Sequence, residues 1–226
     1  MKKYTIIWDF DGTLLPNDPY DSEQSLMTYK LDETGEKIPM LLRAVARSLI
    51  YADNKELLRK LFKQFYVWFL KGTRITVLEK VSEHLAEKIS EIDRRTLLQL
   101  KEKGHTMMVL SCGTADLSEG VLNIAGLADC FDVIEGNRFQ IVNGHITGMT
   151  FCMVNPEDKV NFLQSKGIAS DNSIAIGDGY TDIPVLDWAG ISVMMDRTGK
   201  KKRQHGNMKY RFISSIPEIL NILPES

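Results

Sequence analysis

Four short apolar runs predict the strands of a sheet: YTIIW at 4–8, TMMVL at 106–110, SIAIG at 173–177 and ISVMM at 191–195. None alternates cleanly with polar residues, which is typical of strands covered on both faces in a parallel sheet. Helical patterns lie between these runs, at 92–104, 116–126 and 159–167. Alternating strands and helices favour an α/β fold with a Rossmann-like open parallel sheet.

A block with helical patterns alone separates the first two strands. Its helices are predicted at 39–51, 54–70 and 75–89, bounded by Pro39, Asn54 and the KGT break at 71–73. An insertion of roughly 75 residues is long enough for a small all-helical cap domain after the first strand. We therefore predict a cap domain at 16–91 and an α/β catalytic core domain formed by 1–15 and 92–226.

A hairpin is predicted between the second and third strands, before the helix at 159–167. The segment RFQIVNGHITGMTF at 138–151 alternates around Asn143-Gly144. Asn-Gly between alternating runs is a strong signal for a type I′ turn.

Charge and cysteine usage narrow the class of protein. The chain has 226 residues, 43% hydrophobic and 26% charged, with a formal net charge of −2. This balance predicts no nucleic-acid partner and no membrane partner, and no apolar run approaches a membrane span. Three cysteines without CxxC pairing predict reduced thiols and a cytoplasmic protein. The basic stretch GKKKRQHG at 199–206 is predicted to be a solvated loop.

Polar residues follow three of the predicted strands. Asp9 and Asp11 come after the first, Ser111-Cys112-Gly113-Thr114 after the second and Asp178-Gly179 after the third. Ligands bind at the carboxyl ends of the strands in open α/β sheets, so these residues are expected to converge on one site.

The acidic residues of this rim predict a cation site. Asp9, Asp11, Asp178 and Asp182 would repel one another unless a cation neutralises them, and hard oxygen ligands on rigid strand ends suit Mg²⁺. A carboxylate bound to the ion stays ionised and can act as a nucleophile. A neighbouring carboxyl without such a contact is pushed towards its protonated form.

The other half of the rim predicts an anion site. Ser111 ends a strand, and Gly113 allows close backbone approach before a helix that begins near Ala115. Amide groups at a helix N-terminus beside a hydroxyl bind phosphate, and Lys159 could add the positive charge that phosphoryl transfer needs. The phosphate-binding candidates are Ser111, Cys112, Gly113 and Lys159.

These residues resemble the four ordered motifs of the haloacid dehalogenase superfamily. The motifs are DFDGT at 9–13, Ser111 after an apolar strand, Lys159, and GDGYTD at 177–182. The helical insert resembles members with a cap in that position, and the hairpin before the lysine is similar to the phosphoserine phosphatase-like branch. The resemblance implies a phosphatase or phosphomutase, since the dehalogenase and P-type ATPase branches carry other residues at position 11.

The resemblance also implies roles for single residues. Asp9 matches the nucleophile that forms an aspartyl-phosphate, and Asp11 matches the general acid and base. Metal ligation falls to the Asp9 carboxylate, the Asp11 backbone carbonyl and Asp178, with Asp182 supporting the site directly or through water. Ser111 and Lys159 match the phosphate-binding residues.

Substrate choice is the least determined part of the resemblance. Cys112 replaces the glycine common after the motif serine, and Tyr180-Thr181 replace a small residue and Asn. Asp18 falls where phosphoserine phosphatases tend to carry a Glu that meets the substrate ammonium. A carboxylate-binding Arg could be Arg43, Arg47, Arg59 or Arg74. Asp18, Arg47 and Arg74 are the specificity candidates.

The sequence thus predicts a Mg²⁺-dependent phosphatase that acts on a small phosphorylated metabolite, as a monomer or homodimer. Two alternatives stay open at this point. A phosphotransferase or phosphomutase would pass the phosphoryl group to a second alcohol, and a non-catalytic phosphometabolite-binding protein would have no use for an acid/base Asp11.

Overall fold

The computed structural model describes residues 2–53, 58–201 and 209–223. Its seven-stranded sheet has the order β4-β3-β2-β1-β5-β6-β7, with every neighbouring pair parallel except the antiparallel β3–β4 hairpin. The strands are β1 Thr5–Trp8, β2 Thr106–Thr114, β3 Val133–Val142, β4 His145–Thr150, β5 Ser173–Gly177, β6 Ile191–Met195 and β7 Arg211–Ile213. The α/β prediction is confirmed, and three adjacent strands, β2, β1 and β5, carry the polar residues of the predicted rim.

Helices cover both faces of this sheet, which explains the unbroken apolar strands. They are α1 Ser22–Asp32, α2 Met40–Asp53, α3 Arg59–Leu70, α4 Ile75–Ala86, α5 Glu91–Glu102, α6 Ala115–Ile124, α7 Asp158–Ser165 and α8 Ile183–Trp188. In β1, Ile6 and Trp8 belong to one buried apolar cluster, whereas Ile7 belongs to the cluster on the opposite face. Successive side chains of a strand point to opposite faces, so both sets must be apolar.

Helices α1–α4 lie between β1 and α5, and we call them the cap. Helix α1 was not predicted, because its buried residues include the polar Ser22, Glu23 and Gln24 and give no apolar periodicity. Its signal is a capping box, in which Asp21 accepts from the Gln24 amide and the Gln24 side chain accepts from the Asp21 amide. The boundaries 16–91 and 92–226 stay predictions.

The β3–β4 hairpin has the predicted turn. Asn143 has φ 49° and Gly144 has φ 74°, the two left-handed residues that a type I′ turn requires. Strand β2 is longer than predicted and runs through Ser111 to Thr114, and β7 was not predicted.

Two predictions fall on parts of the chain that the structure does not describe. The start of the helix predicted at 54–70 lies at 54–57, outside the described residues, and α3 is described from Arg59. Residues 202–206 of the predicted basic loop also lie outside them. Within the described ranges, none of the helices has the length and hydropathy needed to cross a bilayer.

Candidate active site

The carboxyl ends of β1, β2 and β5 surround a cavity of about 290 Å³. We call it the catalytic cavity. Two groups of residues line it. The sheet contributes Asp9, Asp11, Ser111, Cys112, Gly113 and Asp178–Thr181, and the loop after β1 together with the cap contributes Asn17, Asp21, Glu23, Gln24, Asp53 and Arg59. The predicted rim residues therefore converge, and the cap closes the opposite side.

Asp9 is held in a buried triad with Lys159 and Asp182. The Lys159 Nζ donates to Asp9 Oδ1 at 2.7 Å and to Asp182 Oδ1 at 2.6 Å. Burial lowers the pKa of Lys159, but the two carboxylates outweigh burial and raise it above its usual value. Lys159 therefore stays charged and fixes the Asp9 carboxylate at the end of β1.

The pKa of Asp9 is raised well above its usual value. Burial is the largest cause and the negative charge of Asp182 is the next, while the Lys159 ammonium opposes both. One lysine thus does not fully offset burial and the second carboxylate, and a cation bound beside Asp9 would favour its ionised form.

Carboxylate oxygens of Asp9, Asp178 and Asp182 lie within 4.8 Å of one another. This donor set suits Mg²⁺. Gly12 leaves room for the Asp178 carboxyl, because a Cβ at position 12 would lie 2.4 Å from that group. Asp182 Oδ2 already accepts from the amides of Asp178 and Gly179, at 2.9 and 3.0 Å. Both oxygens of Asp182 are therefore engaged by protein donors, which fits a supporting position better than direct ligation.

Lys201 contacts Asp178, which the sequence patterns did not predict. Its Nζ lies 2.6 Å from Asp178 Oδ2 and also donates to the Asp178 backbone carbonyl. Burial raises the pKa of Asp178 and Lys201 opposes this shift. No local pattern predicts the contact, since Asp178 follows β5 and Lys201 lies beyond β6.

Asp11 has an environment unlike that of Asp9. Its two carboxylate oxygens accept from the backbone amide and the hydroxyl of Ser22, both at 2.8 Å. Burial raises the pKa of Asp11 to about 6, with the Ser22 hydrogen bonds opposing the shift. Asp11 can therefore donate and accept a proton near neutral pH, whereas Asp9 is paired with a lysine.

Ser111 and Gly113 lie near the end of β2, where the pairing with β3 is irregular, and Gly113 is close to Asp11. Ser111 is buried, and its Oγ accepts from the Gly113 amide at 2.9 Å. A Cβ on Gly113 would lie 3.0 Å from this Oγ and 3.2 Å from Asp11 Oδ2. Glycine at this position therefore lets the predicted phosphate-binding backbone approach the acid, and Cys112 lines the same cavity.

The cap side of the cavity is tied to β2 through Glu23. Lys63 binds both Glu23 carboxylate oxygens and donates to the Cys112 carbonyl at 3.0 Å. Thr114 Oγ1 donates to Glu23 Oε1 at 2.7 Å. The same Oγ1 forms a second hydrogen bond, with the Tyr66 hydroxyl at 3.1 Å. Glu23 is thus an internal ion-pair partner that joins α1, α3 and the sheet, and the sequence patterns missed it together with α1.

The three predicted specificity residues do not line the catalytic cavity. Asp18 is exposed in the loop before α1, and Arg47 forms an ion pair with Asp32 at 3.0 Å. Arg74 is exposed at the start of α4, where its backbone forms an isolated antiparallel bridge with His145. The acidic residues that reach the cavity from the cap and the loop before it are instead Asp21, Glu23 and Asp53.

Among the arginines that the structure describes, Arg59 lines the catalytic cavity. It forms an ion pair with Asp53 in which Nη1 and Oδ1 are 3.8 Å apart, too far for a hydrogen bond. Of the four arginines considered from the sequence, Arg59 is therefore the one placed to meet a bound molecule.

Comparisons with known proteins agree with this geometry. A family profile described as haloacid dehalogenase-like hydrolase matches residues 6–187. A phosphoserine phosphatase of Archaeoglobus fulgidus is 26% identical over 197 residues, which cover 85% of this chain and 52% of that protein. A phosphoserine phosphatase of Lactococcus lactis is 29% identical over 202 residues, covering 84% and 82%. This chain thus spans about half the length of the first relative and most of the second.

Solved structures with the same fold include phosphoserine phosphatases. A substrate-bound complex has a TM-score of 0.73 at 19% identity, covering 99% of this chain and 100% of that chain. A phospho-aspartyl intermediate analogue of a phosphoserine phosphatase has a TM-score of 0.71 at 21% identity, with the same coverage. The profile match spans well over half of the residues and includes Asp9, Asp11, Ser111, Lys159, Asp178 and Asp182. The chain belongs to the haloacid dehalogenase-like hydrolase family.

Proposed function

We propose that this protein is a Mg²⁺-dependent phosphatase that hydrolyses a small phosphomonoester through an aspartyl-phosphate on Asp9. The observation that carries the proposal is the pair of unequal carboxyl groups two residues apart at the end of β1. Asp9 is bonded to the Lys159 ammonium, and Asp11 is bonded to Ser22 with a pKa raised by burial to about 6. A nucleophile and a proton donor need environments that differ in this way.

The first half of the reaction uses both groups. An Asp9 oxygen attacks phosphorus, and the bond from phosphorus to the alcohol oxygen breaks. Asp11 gives its proton to that oxygen, so the alcohol leaves neutral. Ser111, the nearby backbone amides and Lys159 hold the phosphoryl oxygens. Mg²⁺ held by Asp9 and Asp178 would supply the positive charge that keeps Asp9 ionised and offsets the charge of the phosphate.

The second half returns the site to its starting state. Asp11 is now a carboxylate and takes a proton from a water molecule, whose oxygen attacks phosphorus. The bond between phosphorus and Asp9 breaks, and inorganic phosphate leaves. In the net reaction, one phosphomonoester and one water molecule give one alcohol and one inorganic phosphate.

The site supports a small phosphorylated metabolite as substrate, and the relatives named phosphoserine phosphatase support the same class. The Glu23 carboxylate is already paired with Lys63, so an ammonium group of a substrate would instead meet Asp21 or Asp53. The three free cysteines support the proposal that the protein works in the reducing cytoplasm.

A panel of phosphomonoesters tests the proposed function. Free phosphate is measured with Mg²⁺ and with EDTA on phosphoserine, phosphoethanolamine, phosphocholine, sugar phosphates and p-nitrophenyl phosphate. Release of inorganic phosphate, rather than formation of a product isomer, identifies hydrolysis. We expect turnover that requires Mg²⁺, and the absence of turnover across the panel would refute the proposal.

Two variants locate the chemistry. Asp9→Asn should lower kcat by at least about a thousandfold, since the nucleophile is lost. Asp11→Asn should keep phosphate binding and lose turnover. The matched control is Asp129→Asn, an exposed residue on the turn after α6, which should behave as wild type. Wild-type turnover by Asp9→Asn would remove the assigned nucleophile.

A further inference from the structure

A second cavity of about 300 Å³ lies next to the catalytic cavity, between α3 and the segment that follows β4. It is lined by Arg59, Lys60, Lys63, Gln64, Cys112, Asn137, Phe151, Met153 and Val154. Its interior surface is mostly apolar, and its basic residues all come from α3. None of the predicted catalytic or metal-binding side chains lines it.

The floor of this second cavity is rigidly built. Asn137 Nδ2 donates to the carbonyls of Cys112 and Met153, at 2.9 and 3.1 Å. Asn137 Oδ1 accepts from the amides of Cys152 and Met153, at 2.9 and 3.1 Å. One buried side chain with four hydrogen bonds thus fixes the segment after β4 against β2. The cavity is therefore preformed, as small-molecule sites generally are.

The walls of the second cavity expose apolar side chains to solvent. Phe151 is 48% exposed and Val154 is 56% exposed, and both stand beside the buried Met153. Apolar surface of this kind gains free energy when a molecule covers it. An occupant with an apolar body is therefore favoured.

The two cavities share Arg59 and Cys112 as lining residues. Lys63 lines the second cavity and its partner Glu23 lines the catalytic cavity, so this ion pair stands between them. The side chain of Arg59 is 41% exposed, and its ion pair with Asp53 is too long for a hydrogen bond. Arg59, which lines both cavities, is therefore not fixed to Asp53 by a hydrogen bond.

We propose that the second cavity binds an apolar part of the leaving group, so that the substrates include amphipathic phosphomonoesters. The inference rests on the proposed phosphatase function and names its substrate class more closely. The phosphoryl group lies at Ser111 and Lys159, and the apolar portion extends past Arg59 towards Phe151 and Val154. The cations of α3 that line the second cavity attract the anionic substrate, while the apolar walls cover the apolar body.

Binding of methyl-, butyl- and octylphosphonate in the presence of Mg²⁺ tests this proposal by isothermal titration calorimetry. These compounds carry a phosphoryl-like head and are not hydrolysed, so the measurement does not depend on turnover. Burying part of four additional methylene groups should make octylphosphonate bind roughly tenfold tighter than butylphosphonate. Equal affinity across the three compounds would overturn the proposal.

A matched pair of variants locates the binding surface. Val154→Glu places a carboxylate in the apolar wall and should remove most of the gain for octylphosphonate while leaving methylphosphonate within about twofold. Val142→Glu is the control, because Val142 is also 56% exposed but lies at the hairpin turn, outside the second cavity. A chain-length gain that Val154→Glu leaves intact would place the apolar contact elsewhere and refute the assignment.

The two proposals fail in distinguishable ways. If p-nitrophenyl phosphate is hydrolysed but affinity does not rise with chain length, the phosphatase function stands and the second-cavity proposal is wrong. If affinity rises with chain length and falls in Val154→Glu, but no phosphomonoester is hydrolysed, the binding site stands and the catalytic proposal is wrong.

Discussion

Replacing Gly12 with alanine tests whether room beside Asp178 is essential for activity. Gly12 has φ 81°, and a Cβ at this position would lie 2.4 Å from Asp178 Oδ2. The substitution therefore adds two effects, backbone strain and a steric clash with the predicted metal ligand. Gly144→Ala separates them, because Gly144 has φ 74° and a Cβ there would meet no atom within 4 Å among the described residues.

The expected losses in stability and in activity follow from the backbone conformation and from these distances. A left-handed alanine costs about 1–2 kcal/mol, so both variants should lose this free energy of unfolding. For Gly12→Ala, the Asp178 carboxyl must also move by about 1 Å to restore an ordinary contact. A misplacement of about 1 Å near the chemistry can cost about a hundredfold in rate, so kcat/KM should fall by about that factor.

Urea unfolding gives the strain, and phosphate release from p-nitrophenyl phosphate over a Mg²⁺ titration gives the effect on the site. Gly12→Ala should need more Mg²⁺ for half-maximal activity, while Gly144→Ala should keep wild-type kcat/KM. If both variants lose similar stability and both keep wild-type kcat/KM and Mg²⁺ dependence, Gly12 is not required to make room for Asp178.

Three other experiments test separate parts of the structure. Lys159→Met should cost about 3–5 kcal/mol near neutral pH in urea unfolding, since it leaves two buried carboxylates without their cation. The pKa of Asp9, already raised by burial, would rise further in this variant. A carboxyl group whose pKa is higher in the folded than in the unfolded state makes the protein less stable as the pH rises. The loss in free energy of unfolding relative to wild type should therefore be larger at pH 8 than at pH 5. Lys63→Met should destabilise by a similar amount, and adding Glu23→Gln should recover part of the loss in a double-mutant cycle; strictly additive losses would show that the pair is not coupled. Asn143→Ala should lower the free energy of unfolding by about 1 kcal/mol with unchanged phosphate release, and lost activity would contradict a purely local role.

The sheet was predictable because both of its faces are covered. Four strands were found as apolar runs, and the Asn143-Gly144 turn was found from its dipeptide. Strand β7 was missed because Arg211–Ile213 has three residues and one of them is exposed and charged. Short edge strands give too few positions for a periodic pattern.

The rim of the catalytic cavity was predictable because each residue is local to a strand end. Asp9 and Asp11 follow β1 directly, and Asp178 follows β5, so finding the strands was enough to bring these carboxylates together. Lys159 needed the family motif as well, since 150 positions separate it from Asp9 and its place on α7 gives no local sign of the contact.

Helix α1 of the cap was missed because its buried face is largely polar. Ser22 and Glu23 are buried because their polar atoms are satisfied by Asp11, Lys63 and Thr114, from distant parts of the chain. Hydrophobic periodicity cannot find a helix whose buried face is polar. Capping is local, however, and the Asp21-x-x-Gln24 box marks the start of α1. In this chain, the polar helix that follows the strand of the nucleophile lies against the active site, and side chains of β2, α3 and the loop after β1 satisfy its buried polar groups.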